Sequence, residues 1–210
     1  MKDVRLHGLY LISNHQRLQD SRLYDDIDQA LQGGMKILQY RDKSENHKKR
    51  LQQCQQLRKM TQQANCLLII NDDAELALQC RADGVHLGKQ DARISQARQL
   101  LGKQAIIGVS CYNQLELAQS ASTAGANYIA FGRFFKSRTK PDAVQAHPDI
   151  LQQANIFDLP IVAIGGISQD NAPELINAGA DMVAVINAVF GHSDIKNTTR
   201  QFSELFTLQG

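Results

Sequence analysis

Short apolar runs alternate with longer segments of helical periodicity along the whole chain. The apolar runs predict buried strands, whereas the longer segments place apolar residues three or four positions apart, as at Leu51, Cys54 and Leu57. The eight predicted strands are the run around Ile37 and Leu38 and residues 8–13, 66–70, 84–88, 105–109, 128–131, 160–164 and 182–186. A helical segment follows each strand, so the pattern predicts eight strand-helix units.

Strands that are almost wholly apolar predict a parallel sheet covered by helices. The count of eight units and the length of 210 residues favour an α/β fold, a single-domain (β/α)8 TIM barrel over residues 1–210. An open doubly wound sheet is the alternative. That fold usually carries a glycine-rich phosphate turn after its first strand, whereas here the first strand ends in Ile12-Ser13-Asn14.

Composition and charge exclude some classes of protein. Hydrophobic residues make up 43% of the chain, charged residues make up 21%, and the formal net charge is +2. This balance gives no support for a nucleic-acid or membrane-surface partner. The four cysteines lack metal-binding spacing and are interpreted as reduced, packed thiols. The charged N-terminus does not resemble a signal peptide, so we expect a cytoplasmic protein.

Three polar residues occupy alternate positions at the end of the second predicted strand. Gln39, Arg41 and Lys43 would point to the same side, because strand side chains alternate between faces. Two cations would form a cradle for an anion, and the Gln39 amide offers both a donor and an acceptor. The alternative is a pair of surface cations followed by Ser44 as a helix cap.

In a TIM barrel the carboxyl ends of all strands open on one face, so polar residues there converge. The candidates are Gln39, Arg41, Lys43, Asn71, Asp72, Asp91, Ser110, Ser137, Thr139, Lys140, Gly166 and Asn187. Two carboxylates beside three cations predict Mg²⁺ bound together with substrate phosphates. The alternatives are that Asp72 caps a helix and that Asp91 belongs to a turn.

A second anion signal lies after the last two strands. Gly165-Gly166 and the Ile186-Asn187 turn occupy the corner where these barrels commonly bind phosphate. Glycine lets backbone N–H groups approach a phosphate, and a helix N-terminus adds its dipole. A plain strand-to-helix turn would also favour glycine. Together, the two signals predict two phosphorylated substrates.

The ordered set of motifs resembles the thiamine-phosphate synthase family over nearly the whole chain. The matching motifs are Gln39-Tyr40-Arg41-Asp42-Lys43, Ile70-Asn71-Asp72, Gly84-Val85-His86-Leu87-Gly88 with Asp91, residues 132–140, and Ala163-Ile164-Gly165-Gly166-Ile167. The family joins 4-amino-2-methyl-5-hydroxymethylpyrimidine diphosphate to a thiazole phosphate, which releases diphosphate and gives thiamine phosphate. The resemblance therefore implies a transferase with small-molecule substrates and Mg²⁺.

The resemblance also implies the roles of individual residues. The pyrimidine diphosphate would be held by Gln39, Tyr40, Arg41, Asp42, Lys43, Asn71, Ser110 and Lys140. Asp72 and Asp91 would hold Mg²⁺. The thiazole phosphate would be held by Ser137, Arg138, Thr139, Gly166, Ile186 and Asn187. The catalytic residues would be Arg41, Lys43, Ser110 and Lys140.

The reaction explains why no catalytic base is expected. The thiazole nitrogen attacks without losing a proton, and the main requirement is charge stabilisation on the leaving diphosphate. His86 lies within a strand and is interpreted as a packed core histidine. Two rivals stay open, the related thiazole tautomerase and a barrel that binds without turnover. The oligomeric state and the choice between the carboxylated and decarboxylated thiazole also stay open.

Overall fold

The eight strands pair in parallel and in sequential order, and β1 pairs with β8 to close a barrel. The computed structural model describes residues 2–13, 22–88, 92–136 and 144–207. The strands are β1 (Gly8–Ile12), β2 (Ile37–Tyr40), β3 (Leu67–Asn71), β4 (Gly84–Leu87), β5 (Ile106–Tyr112), β6 (Tyr128–Phe131), β7 (Ile161–Ile164) and β8 (Met182–Val185). The closed order confirms the predicted barrel and excludes the open doubly wound sheet.

Helices follow the strands and cover the outside of the barrel. They are α1 (Leu23–Gln32), α2 (His47–Gln63), α3 (Ala74–Gln79), α4 (Ala92–Leu101), α5 (Leu115–Thr123), α6 (Asp149–Ala154), α7 (Ala172–Asn177), α8 (Asn187–Phe190) and α9 (Ile195–Glu204). A 3-10 turn, Asn155–Phe157, extends α6. The four-residue helix α8 was not predicted, because a single turn is too short to show helical periodicity.

Two apolar layers explain why nearly every residue of each strand is hydrophobic. Leu9 and Leu11 of β1 belong to the layer between the strands and the helices. Tyr10 and Ile12 belong to the barrel interior, together with residues such as Met182. Both strand faces are therefore buried, as in other all-parallel sheets. Because side chains alternate, each strand supplies both layers, and its inward residues near the carboxyl end border the mouth of the barrel.

Two predicted boundaries are wrong in ways that matter for the site. Strand β2 ends at Tyr40, so strand alternation places Gln39 but neither Arg41 nor Lys43. Strand β5 continues past Ser110, with a register irregularity between Ser110 and Tyr112. Ser110 is therefore a residue within the strand and not the residue that closes it.

All four cysteines are free and buried, which confirms the interpretation as packed thiols. Within the ranges given above, no helix has the length and apolar character needed to cross a bilayer.

Candidate active site

The described candidate residues lie at one end of the barrel. Gln39, Asn71 and Ser110 are near the carboxyl ends of β2, β3 and β5, and Gly166 and Asn187 follow β7 and β8. Because all eight strands run in parallel around one closed barrel, these positions share one face. Asp91, Ser137, Arg138, Thr139 and Lys140 lie outside the described residues, and their roles stay predictions.

The segment after β2 is held by β1 and not by strand alternation. Ser13 donates its backbone N–H to the Gln39 carbonyl, and its Oγ accepts the backbone N–H of Arg41 at 2.8 Å. Arg41 is half-buried and Lys43 is exposed. Both cations therefore lie on a loop at the barrel mouth, where Ser13 fixes the course of the chain. Sequence reasoning missed Ser13, although a serine directly after an apolar strand is a signal for such a contact.

Tyr40 and Asp42 contact the helix layer in this structure. The Tyr40 hydroxyl donates to Gln53 of α2 at 2.7 Å. The Asp42 carboxylate accepts the backbone N–H of Ser44 at 2.8 Å and lies 3.5 Å from the Lys49 ammonium. Burial raises the pKa of the Asp42 carboxyl, but its hydrogen bonds from Ser44 and Lys49 outweigh burial and hold the pKa below its usual value. Both side chains therefore stabilise the loop, and substrate contact by either stays a prediction.

Asp72 has no helix to cap, contrary to the alternative considered for it. The N-cap of α3 is Asp73, whose carboxylate accepts the backbone N–H of Leu76 at 2.9 Å and the Arg50 guanidinium at 2.7 Å. Asp72 is exposed and has a φ of 61°, a left-handed conformation that Asp and Asn tolerate better than other side chains. Its Oδ2 accepts the Asn71 amide at 2.8 Å. The cap function thus belongs to Asp73, and Asp72 presents a carboxylate at the barrel mouth.

The exposed carboxylate of Asp72 fits the role of a magnesium ligand. Mg²⁺ is usually held by one or two carboxylates together with waters and substrate phosphates. Asp72 supplies one exposed carboxylate, oriented by Asn71, on the face that carries Arg41. The second predicted ligand, Asp91, is outside the described residues. Among the described residues there is no group of three or more His, Cys, Asp or Glu side chains that could hold a metal ion.

The glycines after β7 are required for packing as well as for any phosphate contact. Gly165 and Gly166 have φ values of 104° and 68°, a region that favours glycine. A Cβ at Gly166 would lie 2.7 Å from the Phe135 carbonyl oxygen, and the Phe135 N–H donates to the Gly165 carbonyl at 2.9 Å. The loop after β6 therefore packs directly on these glycines. Asn171 also bonds to this turn, with its Nδ2 3.2 Å from the Gly166 carbonyl.

The short helix α8 completes this corner of the barrel. It begins at Asn187, directly after β8, and the Ile186 carbonyl accepts the Phe190 N–H at 3.0 Å. A short extra helix beside the last two strands is the position at which many TIM barrels bind phosphate. The exposed Asn187 thus lies at the N-terminus of α8 and not in an open turn.

A hydrogen-bonded chain of polar side chains, which sequence reasoning missed, crosses the barrel interior. Gln39 Nε2 donates to the Tyr10 hydroxyl at 2.8 Å, and the hydroxyls of Tyr10 and Tyr128 are 2.9 Å apart. His86 lies 2.9 Å from the Tyr128 hydroxyl through Nδ1 and 2.9 Å from Ser110 Oγ through Nε2. Burial raises the pKa of both tyrosines far above its usual value, so both hydroxyls are protonated. His86 is thus half-buried and stacked on Tyr128 and not a fully buried core residue, and it is bonded to a predicted site residue.

Glycine makes room for this chain. A Cβ at Gly108 would overlap the ring of Tyr128, so β5 must carry glycine where it faces β6. The rings of His86 and Tyr128 are stacked with centroids 5.6 Å apart. A signal for these residues was present, because Tyr10, His86 and Tyr128 occupy inward positions of apolar strands.

The model of the family described as thiamine monophosphate synthase matches residues 9–189. The chain belongs to this family. The thiamine-phosphate synthase of Alcanivorax borkumensis is 50% identical over 206 residues, which cover 96% of this chain and 95% of that protein. The enzyme of the same name from Marinobacter nauticus is 46% identical over 201 residues, 95% of this chain and 90% of that protein.

A solved structure agrees with this membership of the thiamine monophosphate synthase family. The thiamine phosphate pyrophosphorylase from Pyrococcus furiosus has a TM-score of 0.86 and 32% sequence identity, and the match covers 98% of both chains. The predicted family and the (β/α)8 fold are therefore confirmed. The predicted enzyme class, a transferase of the thiamine-phosphate synthase type, agrees with the names of these relatives.

Proposed function

We propose that the chain is a thiamine-phosphate synthase that joins 4-amino-2-methyl-5-hydroxymethylpyrimidine diphosphate to a thiazole phosphate. The observation that carries the proposal is the position of Gln39, Asp72, Ser110 and Gly166 on one face of a closed barrel. Membership of the family supports the choice of substrates. No nucleic acid or membrane takes part in this reaction.

The two substrates are assigned to neighbouring parts of this face. The pyrimidine diphosphate would lie over β2 to β5, with its ring near Gln39 and Ser110 and its diphosphate near Arg41 and Lys43. The thiazole phosphate would lie at the corner of Gly166, Ile186 and Asn187. The loop after β6 packs on the glycines of that corner, so the predicted contacts of residues 137–140 are compatible with the same place.

The reaction breaks the bond between the pyrimidine methylene carbon and the diphosphate oxygen, and forms a bond from that carbon to the thiazole nitrogen. The attacking nitrogen carries a lone pair and no proton, so no residue has to act as a base. The negative charge that develops on the leaving diphosphate is what the protein must stabilise. Arg41, Lys43 and Lys140 are the cations that we assign to this task, and Ser110 supplies a hydroxyl beside the reacting carbon.

Asp72 and Asp91 are the residues that would hold Mg²⁺. The ion would supply positive charge to the diphosphate, which two carboxylates alone would repel. Asp72 is suited to this role because its carboxylate is exposed, is oriented by Asn71 and is not used as a helix cap.

The test is an assay of the purified protein with both substrates and Mg²⁺. We expect thiamine phosphate and diphosphate to appear in equal amounts, and we expect neither product when either substrate is omitted. A folded protein that forms no thiamine phosphate but isomerises the carboxylated thiazole phosphate would be a tautomerase, and this result would refute the proposal. Binding of both substrates without any product would indicate the non-catalytic barrel.

A further inference from the structure

The polar chain inside the barrel connects two residues that are assigned to the same substrate. It runs from Gln39 through Tyr10, Tyr128 and His86 to Ser110. Gln39, Tyr10 and Tyr128 are 3%, 1% and 0% exposed, so these groups exchange few hydrogen bonds with water. The direction in which these three groups donate is therefore decided by the residues to which they are hydrogen-bonded.

The orientation of the Gln39 amide determines the direction of the other hydrogen bonds. Tyr10 accepts a hydrogen bond from Gln39 Nε2. Among the residues that the structure describes, the Tyr10 hydroxyl contacts Gln39 and Tyr128 alone. The Tyr10 proton must then be donated to Tyr128, and the Tyr128 proton to Nδ1 of His86. Because Nδ1 accepts the Tyr128 proton, the proton of the His86 ring lies on Nε2 and is donated to Ser110 Oγ.

This direction determines what the two ends present to a ligand. Gln39 uses its Nε2 within the chain, so its Oε1 is the acceptor that can face a ligand. Ser110 already accepts from His86, so its own hydroxyl proton can be donated to a ligand. If the Gln39 amide turned over, Tyr10 and Tyr128 would have to reverse, His86 would change tautomer and Ser110 would use its proton within the chain. The two ends therefore change their polarity together.

We propose that Tyr10, Tyr128 and His86 are positioning residues that couple the hydrogen-bonding polarity of Gln39 to that of Ser110. The coupled state selects a pyrimidine whose amino group donates to Gln39 Oε1 and which accepts a hydrogen bond from Ser110. A pyrimidine with a carbonyl in place of the amino group meets the wrong polarity at Gln39. Correcting this polarity would require the whole chain to reverse. The inference rests on the proposed function, because it takes the aminopyrimidine as the ligand.

The first test needs no ligand. In ¹⁵N NMR spectra of the folded protein, with the His86 signals assigned by their loss in His86→Gln, we expect wild-type His86 to be the Nε2–H tautomer. Tyr128→Phe removes the donor to Nδ1, so we expect a mixture of tautomers in this variant. Tyr24→Phe removes a tyrosine hydroxyl from α1 outside the barrel interior and should leave the His86 signals unchanged. An Nδ1–H tautomer in the wild-type protein would overturn the inference, even if Tyr128→Phe failed to fold.

The second test measures selectivity. Dissociation constants are compared for the aminopyrimidine diphosphate and for its 4-oxo analogue, which presents a carbonyl. We expect the wild-type protein and Tyr24→Phe to prefer the amino compound. In Tyr128→Phe the Gln39 amide can turn over without reversing the chain, so we expect this preference to fall by about tenfold, the value of one well-placed hydrogen bond.

A purely structural role of Tyr128 gives a different result. In that case Tyr128→Phe would weaken both compounds equally and keep their ratio, and this outcome would overturn the inference. A wild-type protein that binds neither pyrimidine would refute the proposed function and the selectivity, whereas the tautomer of His86 would still test the direction of the chain.

Discussion

Two adjacent aspartates offer a matched test of the assigned metal ligand. Asp72 and Asp73 both follow β3, but Asp73 caps α3 and pairs with Arg50, whereas Asp72 presents an exposed carboxylate at the barrel mouth. The same substitution, Asp to Asn, removes one charge from each and keeps the shape of the side chain. We therefore expect Asp72→Asn to lose activity and keep its stability, and Asp73→Asn to lose stability and keep its activity.

The magnitudes follow from the contacts of each residue. Asn tolerates the left-handed backbone of Asp72 and can still accept from Asn71, so Asp72→Asn should change the free energy of unfolding by less than about 0.5 kcal/mol. Loss of a charged metal ligand should remove about 2.7 kcal/mol of transition-state stabilisation, which lowers kcat about a hundredfold. Asp73→Asn keeps a good cap but loses its charge opposite the Arg50 guanidinium at 2.7 Å, and should cost about 1 kcal/mol of stability.

The assay combines thermal or urea unfolding with kcat measured over a range of Mg²⁺ concentrations. We expect Asp72→Asn to keep its melting temperature, to lose activity and to need more Mg²⁺. We expect Asp73→Asn to melt earlier with kcat within about twofold of the wild-type value, because its contacts among the described residues are with Arg50 of α2 and Leu76 of α3. Full activity of Asp72→Asn with an unchanged Mg²⁺ dependence would refute the assignment.

The remaining predictions concern the stability of the loops around the site. Gly166→Ala should destabilise the protein by at least about 2 kcal/mol more than Gly102→Ala. Both glycines have positive φ, but a Cβ at Gly166 would meet the loop after β6, whereas a Cβ at Gly102 would face open space. Equal losses of unfolding free energy in urea would contradict this prediction. Asp42→Asn should lower the free energy of unfolding by about 1–2 kcal/mol at pH 7. The Asp42 carboxyl has a lowered pKa in the folded state, so its contribution is present above the unfolded pKa of about 3.9 and disappears as the pH falls through the folded pKa. The difference between variant and wild type should therefore begin to shrink as the pH falls below about 4 and vanish below the folded pKa of Asp42, and a constant difference would refute this cause.

Much of the fold follows from periodicity alone. An all-parallel barrel buries both strand faces, so its strands appear as short apolar runs, and seven of them agree with β1 and β3 to β8 to within a few residues. The strand around Ile37 and Leu38 was also found, but its end at Tyr40 was not, because Arg41 and Lys43 continue the alternation into a loop. Alternation is a property of the sequence, whereas the end of a strand depends on pairing with its neighbours.

The site could be predicted by position but not by contact. Asp72 and Asp73 are equally good caps by composition, and only the backbone conformation assigns the cap to Asp73. The glycines after β7 suggested phosphate, yet their contact with the loop after β6 joins distant parts of the chain.

The chain from Gln39 to Ser110 was missed for a similar reason. Tyr10, His86 and Tyr128 look like ordinary core residues until the barrel closes and brings β1, β2, β4, β5 and β6 together. Strand alternation predicts that these side chains point inward, but it does not predict which of them meet, because contacts across a closed barrel join residues that are far apart in sequence.

The most direct test of the proposed site is a crystal structure of the protein with thiamine phosphate, diphosphate and Mg²⁺. We expect the pyrimidine ring to lie between Gln39 and Ser110, the phosphate group of thiamine phosphate to lie at Gly166 and Asn187, and the metal ion to contact Asp72. A product bound elsewhere on the barrel, with Gln39 and Ser110 making no contact to it, would contradict the central claim.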